Sequence, residues 1–313
     1  MREDILLALR EGLLTRAPLD AIPDPVWKRT SALNTWGTNA IEGNTLTWAD
    51  VQKLLLEEKS VSNRPVPDVL ETIQHEAVFR DLLRRRAAPI RVTTALELHE
   101  AVFKGIKPDA GQWRRVNVRI AGMRHVPPRM EKVIPRMSAW EEAYAKRDVA
   151  GDPVFPLGAW MHFEFESVHP FSDGNGRVGR LLLNLHFLKH NWPPVHILPP
   201  DRNRYLRSLE RAHDAGPADL ESFLRELMGR SLLDLLDQLG TREDELKPLK
   251  AFEGRGAYSA KYLALRANQG ELPAIKEAGD WRTSARAHRI YREAVGRGVR
   301  GSAGIHGEPS AES

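Results

Sequence analysis

Cysteine is absent from all 313 residues, so the chain can form no disulfide, offer no thiolate nucleophile and hold no zinc through sulfur. That suits a reducing compartment, and cytoplasmic residence is the expectation. No segment approaches the roughly 20 consecutive apolar residues that a bilayer span requires, so no membrane partner is expected. The start, MREDILLALREGLL, has acids within its first four residues and only a short apolar stretch, and reads as an amphipathic helix rather than a signal peptide. Strong charge of one sign is also missing. The net charge of +4 permits nucleic-acid or nucleotide binding and demands neither. Sequence repeats are lacking as well: HEAVF occurs at 75 and again at 99, but the flanking residues do not repeat, which excludes a solenoid. Neither copy carries the second histidine of a zinc-protease helix. His186 and His190 stand four apart, a zinc-compatible spacing, but no third ligand is in view.

What is there reads as helix after helix. Thr47 with Asp50, and Thr94 with Glu97, have the form of capping signals, each opening a run with apolar residues three and four apart. Pro65 and Pro67 precede a further helix, roughly residues 68 to 86. One stretch alternates instead. In RRVNVRIAGMRHVPP, Val116, Val118 and Ile120 interleave with polar residues before a turn, so a short β-hairpin over 116–127 centred on Gly122 is expected. Leu220, Phe223, Leu224 and Leu227 mark an amphipathic helix ending near Gly240, and TREDELKPLK reads as a linker.

One short stretch carries most of the chemistry: HPFSDGNGRVGR, residues 169–180, between two leucine-rich and aromatic helical flanks. Gly174 and Gly176 let the backbone approach a ligand closely, and the first-turn amides of the helix that follows have no intrahelical acceptor. A helix start of this kind binds anions. Arg177 and Arg180 project from the same turn, so amides, helix dipole and two guanidiniums converge on one place, which suits a polyphosphate. His169 can take a proton from an attacking hydroxyl near neutral pH, and Asp173 offers a hard oxygen to Mg²⁺. Together these residues point to phosphoryl or nucleotidyl transfer. Phe171 and Pro170 are read as packing and turn geometry.

The stretch resembles the signature of the Fic family, His-x-Phe-x-(Asp/Glu)-Gly-Asn-Gly-Arg-x-x-Arg, with every specified position filled. VPPRMEKVIP after the expected hairpin resembles the rest of that family's target-docking flap, and DRNRYLRSLERA its helix after the motif, so the similarity runs over about residues 30 to 230. The resemblance implies an all-α fold, a helical bundle with a β-hairpin flap, and transfer of AMP from ATP to a Ser, Thr or Tyr hydroxyl of a target protein. It implies His169 as general base, Asp173 as Mg²⁺ ligand, Gly174, Asn175 and Gly176 as the phosphate cradle, and Arg177 and Arg180 as polyphosphate clamps. The related Doc toxins transfer phosphate and depart from the glycine-rich form; both glycines here favour nucleotidyl transfer.

TNAIEGN, residues 38–44, is a helix end where Glu42 would ordinarily be a solvated charge at a disfavoured C-terminal position. It resembles the family's inhibitory motif, (Ser/Thr)-x-x-x-Glu-(Gly/Asn), which implies that Glu42 pairs with Arg180 and obstructs the γ-phosphate. Residues 251–300 hold ten Lys or Arg against five Asp or Glu, an excess of five. They resemble the excisionase-like winged helix-turn-helix modules that some Fic proteins carry, with DNA as a candidate partner. The expected organisation is an N-terminal helical region, 1–110, with an inhibitory helix around 30–43. A catalytic core at 111–240, a small winged module at 251–298 and a disordered tail at 301–313 complete it. The expected activity is an autoinhibited protein adenylyltransferase using ATP and Mg²⁺. A nucleotide-sensing DNA-binding regulator and a hydrolase that removes AMP from proteins are the competing readings, and a homodimer is left open.

Overall fold

The computed structural model describes residues 1–254 and 258–302 of the chain. Helices dominate: α1 (Glu3–Arg16), α2 (Asp24–Ile41), α3 (Trp48–Val51), α4 (Val66–Arg84), α5 (Val92–Phe103), α6 (Val133–Val149), α7 (Val154–Val168), α8 (Asn175–Lys189), α9 (Arg202–Ala215) and α10 (Ala218–Gln238). Three short strands follow, β1 (Lys247–Pro248), β2 (Ile275–Glu277) and β3 (Asp280–Thr283), with α11 (Ala260–Asn268) before the last two and α12 (Ala285–Ser302) after them. No described helix is long and apolar enough to cross a membrane.

The chain divides into two compact units, residues 17–228 and residues 1–16 with 229–313, the boundary falling inside α10. In the larger unit, α8 is the buried axis: Asn175 and every position from Arg177 to Leu188 is buried, and the helix packs against α7, α5, α4 and α2. Leu157, Met161 and Phe165 from α7 and Leu181, Leu182 and Leu185 from α8 fill the centre, each at most 1% exposed. Full burial of one such side chain stabilises by about 1.5–3 kcal/mol, so the turn joining α7 to α8 is suspended between two anchored rods.

Several local expectations meet the structure directly. Thr47 and Asp50 form a reciprocal capping box at α3, and α4 begins just after Pro65. The second cap lies a turn away from its expected place. Helix α5 starts at Val92, and Thr94 sits inside its first turn, accepting from the Arg91 amide (3.2 Å) and donating to the Pro89 carbonyl (3.0 Å).

Residues 116–127, expected as a hairpin, do turn at Gly122, where φ is +77° and Met123 N–H donates to the Ile120 carbonyl (3.3 Å). Their arms form no strand ladder among the described residues. Side chains hold them instead: Asn117 Oδ1 accepts from the Met130 amide (2.9 Å), His125 Nε2 donates to the Ser167 carbonyl (2.9 Å), and Arg124 pairs with Glu210 and Asp214. Alternation specifies an extended chain, but two isolated arms without a third strand gain too little to lock a ladder.

The smaller unit contains α1 packed on α12 and an antiparallel sheet in the order β1-β3-β2. The helix, the Gly270 turn, the strand segment and the final helix expected there are present, and α11 is the one α-helix described between β1 and β2. The stretch expected as a linker is tied down: Asp244 is 1% exposed and binds Arg286, and Lys247 and Pro248 pair with β3. Arg266, Arg282, Arg286 and Arg289 each face a carboxylate, which reduces the charge left for phosphate contact. The expected tail lies outside the described residues from 303 onward.

Candidate active site

Helix α7 stops at Val168 because Pro170 disfavours helical geometry in the residue before it. His169 takes the left-handed conformation instead, φ 49° and ψ 60°, which costs a non-glycine residue about 1–2 kcal/mol. Arg114 Nε holds the strained residue by donating to its carbonyl (2.8 Å), while the His169 amide donates to Phe165 O (3.0 Å). The imidazole Nδ1 lies 3.3 Å from the Glu166 carbonyl, which can only accept, so Nδ1 carries the proton and Nε2 keeps its lone pair. Burial pulls the His169 pKa down to about 4, against the upward pull of the Glu166 carbonyl and the Glu42 charge. The ring is therefore neutral at pH 7, as a proton acceptor must be.

The turn itself is held from inside. Asn175 is 1% exposed, its Oδ1 accepting from the Phe171 amide (2.8 Å) and its Nδ2 donating to the Phe171 carbonyl (2.9 Å). Its side chain thus shapes the loop. Phe171 stacks on His99 with ring centres 3.9 Å apart, and His99 accepts from the Gly111 amide (2.9 Å) and so donates through Nε2 to the Asp173 carbonyl (3.0 Å). Gly174, at φ +87°, has no room for a side chain: a Cβ there would overlap the Phe103 ring. Gly174→Ala is accordingly expected to cost about 2–4 kcal/mol, the left-handed strain plus overpacking. A urea titration reads this as a lower midpoint at unchanged slope; an unchanged midpoint refutes it.

The first turn of α8 gathers the charged groups. Asp173 accepts from the Gly174 amide (2.6 Å), Arg177 (3.0 Å) and Lys107 (2.5 Å), and these partners hold its carboxyl below the usual range against the opposing effect of burial. Arg177 pairs with Glu71 and lies over the Phe103 ring, 4.7 Å from its centre. Arg180 is 5% exposed, donating through Nε to Thr38 Oγ1 (2.5 Å) and through Nη2 to Thr38 O (3.2 Å) and Glu42 Oε1 (2.7 Å). Glu42 closes the C-terminus of α2, and its carboxylate lies against Gly176, where an added Cβ would strike Oε1. It occupies the positive end of the α8 dipole, the position an anion seeks. Burial pushes the Glu42 pKa up and Arg180 more than reverses this, leaving it lowered. Glu166, buried nearby, is pushed up to about 8 by desolvation, so it is mostly protonated at pH 7 and does not compete for Arg180.

Glu42, His169, Gly176 and Arg180 line one cavity of about 80 Å³, together with Glu166, Ile120 and Met123. His169, Asp173, Gly174, Asn175, Gly176, Arg177, Arg180 and Glu42 thus surround one helix start, Asn175 with its side chain turned to the loop. Sequence reasoning missed Arg114, Thr38, Glu71, His99 and Lys107. His99 had a signal in the second HEAVF copy, and Thr38 in the first position of the TNAIEGN stretch. Arg114 and Glu71 had none. Among the described residues no group of three or more acids and histidines is placed to hold a metal.

Residues 89–187 match the Fic/DOC family. The chain is 28% identical over 192 residues to "Protein adenylyltransferase Fic" of Nematostella vectensis, covering 60% of this chain and 44% of that one. It is 31% identical over 220 residues to "Protein adenylyltransferase fic-1" of Caenorhabditis briggsae, covering 68% and 42%. The chain therefore spans less than half the length of these relatives. A Fic-domain signaling protein from Bacteroides thetaiotaomicron shares the fold with a TM-score of 0.64 at 23% identity, over 72% of this chain and 96% of that one. The motif, the helices that carry it and these matches agree: the domain spanning residues 89–187 belongs to the Fic/DOC family.

Proposed function

We propose that the protein is an autoinhibited, Mg²⁺-dependent protein adenylyltransferase. The observation that carries this reading is the meeting of a neutral, half-buried histidine, an acid and two arginines at one helix N-terminus, with a carboxylate already seated there. In the reaction, a hydroxyl oxygen of the target attacks the α-phosphorus of ATP as the bond to the β-phosphate oxygen breaks. Pyrophosphate leaves, and His169 Nε2 accepts the hydroxyl proton. Arg177 and Arg180 neutralise charge on the polyphosphate, and the first-turn amides of α8 receive its oxygens. The 80 Å³ cavity is far below the roughly 300 Å³ at which ligand pockets begin. Glu42, paired with Arg180 and set against Gly176, fills the place a γ-phosphate would take, which supports inhibition. Relatives named adenylyltransferases support AMP transfer as the chemistry.

Asp173 fits a magnesium ion by its chemistry, since Mg²⁺ takes one or two carboxylates and completes its shell with phosphate oxygens and water. Lys107, now on that carboxylate, would have to give way. Bound there, the ion would neutralise charge on the phosphates. Asp173→Ala is expected to lower activity by about 10²-fold and to raise the Mg²⁺ concentration giving half-maximal rate. Full activity in excess chelator would sink the metal role.

The acceptor is a protein segment laid along residues 116–127, whose arms lack ladder partners among the described residues and whose Val116 and Val126 are each 56% exposed. Strand addition of this kind reads backbone more than side chains. The test of the whole reading is incubation of Glu42→Gly protein with ATP labelled at the α-phosphate and Mg²⁺. Label on protein that disappears with His169→Ala supports it; ATP binding without any label overturns it.

A further inference from the structure

Arg114 is 3% exposed, yet every acceptor of its guanidinium is a backbone carbonyl. Nε donates to His169 O (2.8 Å), Nη1 to Val116 O (2.9 Å) and Nη2 to Pro128 O (2.5 Å) and, more weakly, to Val168 O (3.4 Å). Its own amide donates to Pro170 O (2.9 Å). Burial lowers its pKa, the mark of a cation placed where solvation is poor. Desolvating a guanidinium is costly even after relaxation, and an aliphatic side chain would fill the same volume without that penalty. The placement therefore has to be explained by what the fork holds.

It holds segment 116–127 and His169 together directly, where the other tie between them among the described residues, His125 Nε2 to the Ser167 carbonyl (2.9 Å), stops two residues short of His169. Val116 and Pro128 flank the two arms of the segment that turns at Gly122, and those arms have no ladder between them. His169 is the strained residue whose imidazole faces the cavity. The planar guanidinium has five donors in a fixed geometry, so the carbonyls bound to it are fixed relative to one another.

We propose that Arg114 is a positioning residue that sets the spacing between the acceptor-docking segment 116–127 and the imidazole of His169, so that a hydroxyl carried on that segment comes within reach of Nε2. The inference rests on the transferase reading above. A second consequence follows from charge. The groups facing His169 are Glu166 from α7, Glu42 from the end of α2, Asp173 from the turn and Arg114, with Arg180 of α8 lining the same cavity. Of those acting on its protonation, Arg114 is the cation, and it favours the neutral imidazole.

The two consequences separate in a pair of variants made in the Glu42→Gly protein, Arg114→Lys and Arg114→Met. Three quantities are read: affinity for a fluorescent ATP analogue, the rate of autoadenylylation, and the acid limb of its pH profile. Both variants are expected to bind the nucleotide within about threefold of the parent while labelling falls by about 10²-fold, the scale of a small misplacement of reacting groups. The acid limb should move to higher pH in the Met variant and stay in place in the Lys variant, which keeps the charge but loses the fork. Labelling within about threefold of the parent in both variants overturns the inference. So does loss of nucleotide affinity or of the folded state in step with labelling, since Arg114 would then be only a structural pin. A Glu42→Gly parent that binds nucleotide and labels nothing overturns the transferase reading itself.

Discussion

Replacing Glu42 with glycine is expected to raise autoadenylylation by about 10- to 100-fold, the range of a coupling free energy of 1–3 kcal/mol between two ligands of one site. The two ligands are the Glu42 carboxylate and the γ-phosphate, and the site is Arg180 with the first turn of α8. Arg180 is fixed on its other side by Thr38 Oγ1 and Thr38 O. Removing Glu42 therefore frees the guanidinium's anion-facing edge without releasing the side chain. The exposed helix start and the buried cation are then left without a counter-charge, and a polyphosphate supplies it.

The sign of the pH dependence follows from the same pair. Glu42 has a lowered pKa in the folded protein, so its pairing with Arg180 is present above the ordinary carboxyl range and is lost only as pH falls through that lowered value. Wild-type labelling should stay low across the neutral range, and acid alone should not relieve it short of unfolding. The Glu42→Gly, His169→Ala double variant is the silent control. Equal labelling of wild type and Glu42→Gly, with ATP bound to both, would reduce Glu42 to a capping residue.

The chemistry of residues 169–180 was legible because it is local. Spacing within one helical turn places Arg177 and Arg180 beside the glycines, and Pro170 ends the preceding helix whatever surrounds it. Glu42 was legible only through the resemblance; its own neighbourhood reads as a solvated charge at a poor position. Arg114 and Glu71 could not be read, since a charged residue in a sequence looks solvated and only tertiary packing buries it. Glu71 is 106 positions from the Arg177 it pairs with, and Thr38 is 142 from Arg180. The direction of the Asn175 side chain was hidden for a related reason. Its amide faces the backbone of Phe171, four residues earlier, and the fold of the turn decides whether it meets a ligand or its own loop. The alternation at 116–120 could not tell whether the two arms would pair as strands, because pairing depends on a third strand.

His169→Ala is expected to abolish most of the labelling gained by Glu42→Gly, a loss of about 10²- to 10⁴-fold, the contribution of a positioned general base. Nucleotide affinity should hold within about threefold, because a change in a group that acts only in the transition state leaves ground-state binding nearly untouched. The imidazole has the properties this demands. Nδ1 is committed to the Glu166 carbonyl, so the proton can be accepted only at Nε2, and the pKa near 4 keeps that nitrogen free. The same value fixes the direction of the pH profile. In kcat/KM, which reports the free enzyme, activity should rise with pH through a limb below the ordinary histidine value of about 6.5 and be level through neutrality. Glu42 raises the His169 pKa, so its removal moves the limb further down, not up. A limb near 6.5 in Glu42→Gly would mean that the imidazole is solvated in the active form. A His169→Ala variant that still labels at the parent rate would overturn His169 as the proton acceptor.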